Sequence, residues 1–250
     1  MSQEYSNTLY DRTETTLFLL MSVDGKITTG ETDLLDSDRD WKRIAGVKEG
    51  LHQYYQIEQS IAANSLNTGR VMAKIGINSR ANIPEKCPQL TFFIIDRKPH
   101  LNENGVRFLS NWIGKLYIVT NNTKHPAFDL RSQYDNLEIV FYSNEIDLKD
   151  LLIKVKQNYG IDRLTIQTGG TMNALFVRRG LIDHVVIVVA PLFVGGVNTS
   201  TLIDGLSFRT DNELVQLKAL KLMNCEKLKD SYIRLDYDVI NTTRIDPIVA

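Results

Sequence analysis

Residues 164–190 read LTIQTGGTMNALFVRRGLIDHVVIVVA, and the order of chemistry along them decides the fold. Leu164–Gln167 is a short run with β-branched Thr165 and Ile166, Gly169-Gly170 is a turn, and Met172–Arg179 has helical spacing that Gly180 closes. Val185–Ala190 is an unbroken apolar strand. A strand, a helix and a second strand in that order predict a βαβ crossover whose two strands run parallel. Just upstream, Leu148, Leu151, Leu152, Val155 and Tyr159 form a helical stripe that Gly160 ends as a left-handed cap. Further strands are predicted at Thr15–Ser22, Leu90–Asp96, Lys115–Thr120 and Leu137–Tyr142. None alternates strictly between apolar and polar residues, so the sheet is expected to be covered on both faces.

Two other segments complete the reading. Val47, Leu51, Tyr54, Tyr55 and Ile61 predict an amphipathic helix over Val47–Ala62, after a polar loop from Thr28 to Asp40. Ser231–Val239 alternates in polarity and, with Glu213–Met223, suits an antiparallel hairpin near a sheet edge. The expectation is an α/β fold with a mostly parallel central sheet, helices on both faces and an antiparallel C-terminal hairpin. All 250 residues are read as a single domain, with no internal repeat and no low-complexity linker.

Composition narrows the partners. With 29 basic and 30 acidic residues and no long like-charge run, the chain carries no electrostatic footprint for nucleic acid or an anionic membrane. The most apolar stretch, Val185–Val194, is too short to span a bilayer. The first dozen residues, MSQEYSNTLYDR, have neither the apolar centre of a secretory signal nor the arginines of a transit peptide, so a cytoplasmic protein is expected. Cys87 and Cys225 are accordingly read as free thiols. His52, His100, His125 and His184 lie far apart with no ligand spacing, and no metal site is expected. No GxSxG elbow and no P-loop lysine motif occurs, which weighs against hydrolases and nucleotide triphosphatases. The acidic residues Asp33, Asp36, Asp38 and Asp40 read as a solvated loop or a helix cap.

Four places have the residue types for small-molecule chemistry. Thr168-Gly169-Gly170-Thr171-Met172-Asn173 lies where a strand end meets a helix start, so backbone N–H groups and the positive end of the helix dipole would face a ligand anion. Two glycines there would let a pyrophosphate approach the backbone closely, or would simply make a tight turn. Asn67-Thr68-Gly69-Arg70 is a second glycine loop, whose arginine suits a phosphate such as the 2′-phosphate of NADPH, or is a plain surface arginine. Asp24 and Lys26 flank a glycine turn after the first strand, where they would orient or polarise a substrate, or would simply belong to a common Asp-Gly turn. Pro191–Gly196 ends a buried strand with a small-residue loop that would flank a cofactor, or would simply close the strand.

Taken in order, Ser22-Val23-Asp24-Gly25-Lys26-Ile27, Thr68-Gly69-Arg70, Gly169-Gly170-Thr171-Met172-Asn173, Leu181-Ile182-Asp183 and Ala190-Pro191 through Gly195-Gly196 resemble the reductase domain of riboflavin biosynthesis. The resemblance covers most of the chain and is most specific over Leu164–Gly196. It implies a dihydrofolate-reductase-like fold, NADPH as hydride donor, a homodimer built on the sheet edge, and reduction of the ribose of an aminopyrimidine ribosyl phosphate to ribitol. It implies a cofactor site made of Thr68, Gly69, Arg70, Thr120, Gln167, Thr168, Gly169, Gly170, Thr171 and Met172. Lys26 and Asp24 take the catalytic roles, and Ser22, Asp24, Lys26 and Gln167 the substrate.

Three departures stand out. Gln167 occupies a position where many such reductases have Glu, exchanging a carboxyl for a neutral amide, and Thr168 replaces a further glycine. Thr28–Asp40 and Lys98–Gly114 look enlarged. No H-x-E and no P-C-x-x-C occurs, so a stand-alone reductase without the zinc deaminase is expected. A reductase of another small imine, carbonyl or pteridine-like substrate, and a catalytically silent nucleotide-binding module of the same fold, are the alternatives.

Overall fold

The structure, a computed structural model, describes residues 11–246. Residues 1–10, most of the stretch read above for targeting signals, lie outside the described residues. In chain order the elements are β1 (Glu14–Ser22), α1 (Ser37–Asp40), α2 (His52–Ile61), β2 (Asn64–Thr68), α3 (Gly69–Lys74), β3 (Cys87–Ile95), α4 (Glu103–Trp112), β4 (Ile113–Thr120), α5 (Ala127–Leu130), β5 (Leu137–Phe141), α6 (Leu148–Gln157), β6 (Arg163–Ile166), α7 (Gly170–Arg178), β7 (His184–Ala190), β8 (Ala219–Lys227) and β9 (Ile233–Ile240). Packing divides the chain into two compact units, Met1–Thr13 with Gln56–Thr168 and Glu14–Tyr55 with Gly169–Ala250.

The first unit is a parallel sheet in the order β5-β4-β3-β2-β6. Apolar side chains from its strands and from α4, among them Ile94, Val106, Leu109, Leu116 and Ile118, form one buried cluster. Removing each such side chain from water contributes roughly 1.5–3 kcal/mol, which holds α4 against the sheet. Two of these elements escaped the sequence reading. β2 reads NSLNT, with little apolar signal, because its buried polar residues are satisfied internally: Asn67 Nδ2 donates to Ser65 Oγ at 3.1 Å. α4 lies inside the apparently enlarged segment Lys98–Gly114, where Asn102 caps it by accepting the Gly105 N–H at 2.8 Å. Gly105 breaks the helical pattern but is needed there, since a Cβ would overlap the Asn78 side chain. α6 ends as predicted, on Gly160 with φ +66°.

In the second unit β1 and β7 are parallel, and β7, β9 and β8 follow in antiparallel order. The crossover predicted over residues 164–190 therefore links strands with different neighbours: β6 pairs with β2, and β7 lies between β1 and β9. The helix predicted from Val47 begins only at His52. Gly46 is left-handed at φ +85°, and Gly50 lies flat against the ring of Tyr232, whose hydroxyl donates to the Val47 carbonyl at 2.7 Å, so residues 46–50 turn rather than coil. The C-terminal hairpin is present, but Glu213 belongs to a 3₁₀ turn and β8 starts at Ala219. Every residue of β8 is exposed, including Leu220, Leu222 and Met223. Both cysteines are free thiols, and among the described residues no helix is long and apolar enough to cross a membrane.

Candidate functional site

Open α/β sheets bind ligands beyond the carboxyl ends of their parallel strands. In the first unit those ends include Thr68, Asp96, Thr120 and Gln167. Thr68 closes β2 and caps α3, its hydroxyl oxygen accepting the Val71 N–H at 3.4 Å. Gly69 is buried against Asp96, and a Cβ at this position would overlap the Asp96 carboxylate. Arg70, the next residue, is exposed.

Asp96 was not singled out by sequence, yet its carboxylate gathers four donors. It is 1% exposed. It accepts the backbone N–H groups of His100, at 3.1 Å, and Leu101, at 3.0 Å, with His100 Nδ1 at 3.0 Å and His125 Nε2 at 3.1 Å. The Ala127 N–H donates to His125 Nδ1 at 3.1 Å, so Nε2 carries the proton and the buried imidazole is neutral. Burial opposes the charge on Asp96, but the donors, His125 first among them, hold its pKa below the ordinary value. The only sequence signals were an Asp ending an apolar strand and two histidines 4 and 29 residues on. Among the described residues no group of three or more His, Cys, Asp or Glu is arranged to hold a metal ion.

Thr120 is buried, and its hydroxyl is committed to structure, donating to the Asp96 carbonyl at 2.8 Å and accepting the Asn122 N–H at 3.1 Å. Gln167 follows β6 and donates from Nε2 to Glu58 Oε1 of α2 at 2.5 Å. A carboxylate is thus present beside this position, supplied by α2 and not by the residue itself. Glu58 is a second residue that sequence reasoning missed.

The second unit holds the other candidates. Ser22 ends β1 and donates from Oγ to Asp24 Oδ1 at 2.5 Å, while accepting the Lys26 N–H at 2.9 Å. Asp24 also accepts the N–H groups of Val194, at 3.1 Å, and Gly195, at 2.6 Å. The Ser22 hydroxyl and these N–H groups pull its pKa down to about 2, so it is an anion at any working pH and no proton donor. Lys26 Nζ donates to the carbonyls of Gly196, at 2.7 Å, and Thr199, at 2.9 Å. Ser22, Asp24 and Lys26 are therefore brought together, and both charged groups grip the loop that follows β7. Gly195 and Gly196, at φ +72° and +85°, give that loop the left-handed turn that presents its N–H groups and carbonyls.

The glycine turn before α7 is asymmetric. Gly169 is the N-cap, has no side-chain cap, and has open space where a Cβ would be. Gly170 is buried, and its Cβ space is taken by the Thr201 carbonyl and the Asp204 carboxylate. The Asp204 N–H in turn donates to the Gly170 carbonyl at 3.0 Å. Close approach of a ligand to the backbone is thus available at Gly169, whereas Gly170 is required by the chain itself. Thr168 is buried, Thr171 exposed and Met172 half-buried. The open face of Gly169 fits an anionic group such as a pyrophosphate, and exposed Arg70 in the other unit fits a phosphate monoester.

Comparison with known proteins identifies the family. The RibD C-terminal domain model matches residues 14–233. The chain is 37% identical over 200 residues to the 2,5-diamino-6-ribosylamino-4(3H)-pyrimidinone 5′-phosphate reductase of Methanothermobacter thermautotrophicus, covering 74% of this chain and 81% of that one. The reductase of the same name from Aquifex aeolicus is 26% identical over 107 residues, 43% of this chain and 46% of that one. Among solved structures, Acinetobacter baumannii RibD superposes with a TM-score of 0.65 at 17% identity, over 92% of this chain and 58% of that chain. This chain thus spans little more than half of that RibD. The riboflavin biosynthesis reductase Rib7 of Saccharomyces cerevisiae superposes with a TM-score of 0.58 at 14% identity, over 92% and 90%. These likenesses establish the dihydrofolate-reductase-like fold. With one model matching 14–233 and one relative similar along most of both chains, the chain belongs to the RibD C-terminal domain family.

Proposed function

We propose that this chain is an NADPH-dependent reductase of riboflavin biosynthesis, converting the ribosyl group of 2,5-diamino-6-ribosylamino-4(3H)-pyrimidinone 5′-phosphate to a ribityl group. The observation that carries the reading is the 37% identity over 200 residues to the archaeal enzyme of that name. The aminouracil counterpart, carrying an oxygen in place of the ring amino group, is the second substrate to test, because the chain also matches Riboflavin biosynthesis protein RibD of Actinobacillus pleuropneumoniae, 31% identical over 99 residues.

When bound, the nicotinamide supplies the hydride. In the first unit, Thr68, Gly69 and Arg70 serve the adenosine end, with Arg70 paired to the 2′-phosphate. Thr120 contributes through the loop it holds, since its hydroxyl is already used. In the second unit, Gly169 offers its open face to the pyrophosphate, with Gly170, Thr171 and Met172 forming the helix start behind it; Thr168 precedes the turn. Lys26 spends two N–H groups on carbonyls and keeps the third for the substrate, whose reacting ribose carbon it polarises. Asp24 and Ser22 fix the Lys26 turn. Gln167, its amide N–H held by Glu58, turns its remaining groups to the substrate.

One reductase domain comprising both units, a cytoplasmic location and a homodimer complete the proposal. The exposed strand β8, with Leu220, Leu222 and Met223 uncovered, is the edge on which a second copy would pair. NADPH oxidation with each of the two pyrimidines, and rescue of a strain lacking its own reductase, test the reading. Failure of both assays with the cofactor still bound rejects the riboflavin assignment.

A further inference from the structure

Asp96 joins three segments that carry ligand-facing residues in sheets of this kind. Its carboxylate fills the space that Gly69 leaves, immediately before Arg70. It also closes the turn after β3 through the N–H groups of His100 and Leu101. Through His125 it ties down the loop after β4, and its own carbonyl receives the Thr120 hydroxyl of the same strand. Four donors converge on a carboxylate that water does not reach, so it has one stable position, and the start of α3 is defined by contact with it. Of the two histidine rings, that of His125 is sealed and neutral, while that of His100 is partly exposed and meets Asp96 through Nδ1.

We infer that Asp96 is the positioning residue for the cofactor's adenosine end, setting the Gly69–Arg70 turn from behind and held in place by His100 and His125. The inference rests on the NADPH reading given above. It assigns Asp96 no contact with the cofactor and no part in hydride transfer. Disturbing it changes how tightly NADPH is held and leaves the chemical step alone.

The test is NADPH binding, measured without any pyrimidine by fluorescence, together with kcat at saturating cofactor. Asp96→Asn places an amide N–H among donors, and its NADPH Kd is expected to rise at least about tenfold while kcat stays within about threefold. Should that variant not fold, His100→Ala decides, because the ring is partly exposed and the backbone bonds to Asp96 persist. It is expected to raise the Kd at least about threefold, and His100→Asn, whose amide can donate where Nδ1 does, to restore it. Unchanged NADPH affinity in folded Asp96→Asn, or in His100→Ala, overturns the inference while leaving the cofactor reading intact. An unmodified protein that binds no NADPH overturns both.

Discussion

Two glycine turns at helix starts, Thr68-Gly69-Arg70 in one unit and Gly169-Gly170 in the other, both place an aspartate against a glycine. In the first, Asp96 occupies the Cβ space of Gly69 and is itself buried and saturated with donors. In the second, Asp204 and the Thr201 carbonyl occupy the space of Gly170, and the preceding Gly169 stays open. A glycine at a turn therefore has two physical uses, admitting a ligand or admitting a distant part of the same chain. Only Gly169 has the geometry of the first use; Gly69 and Gly170 have that of the second.

The largest expected effect would separate Gly169 from Gly170. In Gly170→Val the new side chain meets a backbone carbonyl, which no rotamer relieves, and the protein is expected to lose more than about 3 kcal/mol of stability in urea unfolding. Gly169→Val, at φ −79° with open space, should stay folded within about 1 kcal/mol and instead bind NADPH at least about tenfold more weakly. A stable Gly170→Val would break the comparison, and normal NADPH binding by Gly169→Val would remove the ligand from this turn.

Next in size is Gly69→Ala, where the obstacle is a side chain that can move. Displacing Asp96 strands buried donors and should cost about 2 kcal/mol, less than Gly170→Val, as read from paired thermal melts. Equal losses in the two variants would mean that the Asp96 cluster is as unyielding as backbone.

Lys26→Ala tests the other charged grip in the second unit. It should lower turnover at least about tenfold, equivalent to about 1.4 kcal/mol, with little change in NADPH affinity. Hydrogen exchange should quicken across residues 191–199, because the Gly196 and Thr199 carbonyls lose their donor. Lost turnover with unaltered exchange would assign Lys26 to the substrate alone.

The smallest effect is on pH dependence. Asp96 titrates below its ordinary 3.8, so its stabilising contribution is present above that value and is lost as pH falls through the lower folded one. A folded Asp96→Asn variant should show a shallower loss of stability below about pH 4 in acid titrations followed by circular dichroism. An identical acid limb in both proteins would mean that the carboxylate is not differentially charged on folding.

Most strands were legible because they are covered by apolar neighbours and are apolar themselves: Thr15–Ser22, Leu90–Asp96 and Val185–Ala190 fall on β1, β3 and β7 within a few residues. Helix ends marked by Gly160 and Gly180 were legible because left-handed backbone selects glycine. β2 was not, since burial of Ser65 and Asn67 depends on hydrogen bonds that local patterning does not register. α4 was hidden by Gly105, whose purpose is the approach of Asn78 from elsewhere in the fold.

The same division runs through the site. Sequence by itself determined the α/β class, the glycine turns, the Asp24–Lys26 pair and the family resemblance, because turn chemistry and hydrophobic period are properties of neighbouring residues. Tertiary structure alone decided that Lys26 holds carbonyls 170 and 173 residues away, that Glu58 stands beside Gln167, and that Asp96 gathers His100 and His125 behind Gly69. Which partner satisfies a buried charge is settled by the packing of distant segments, and no local pattern encodes it.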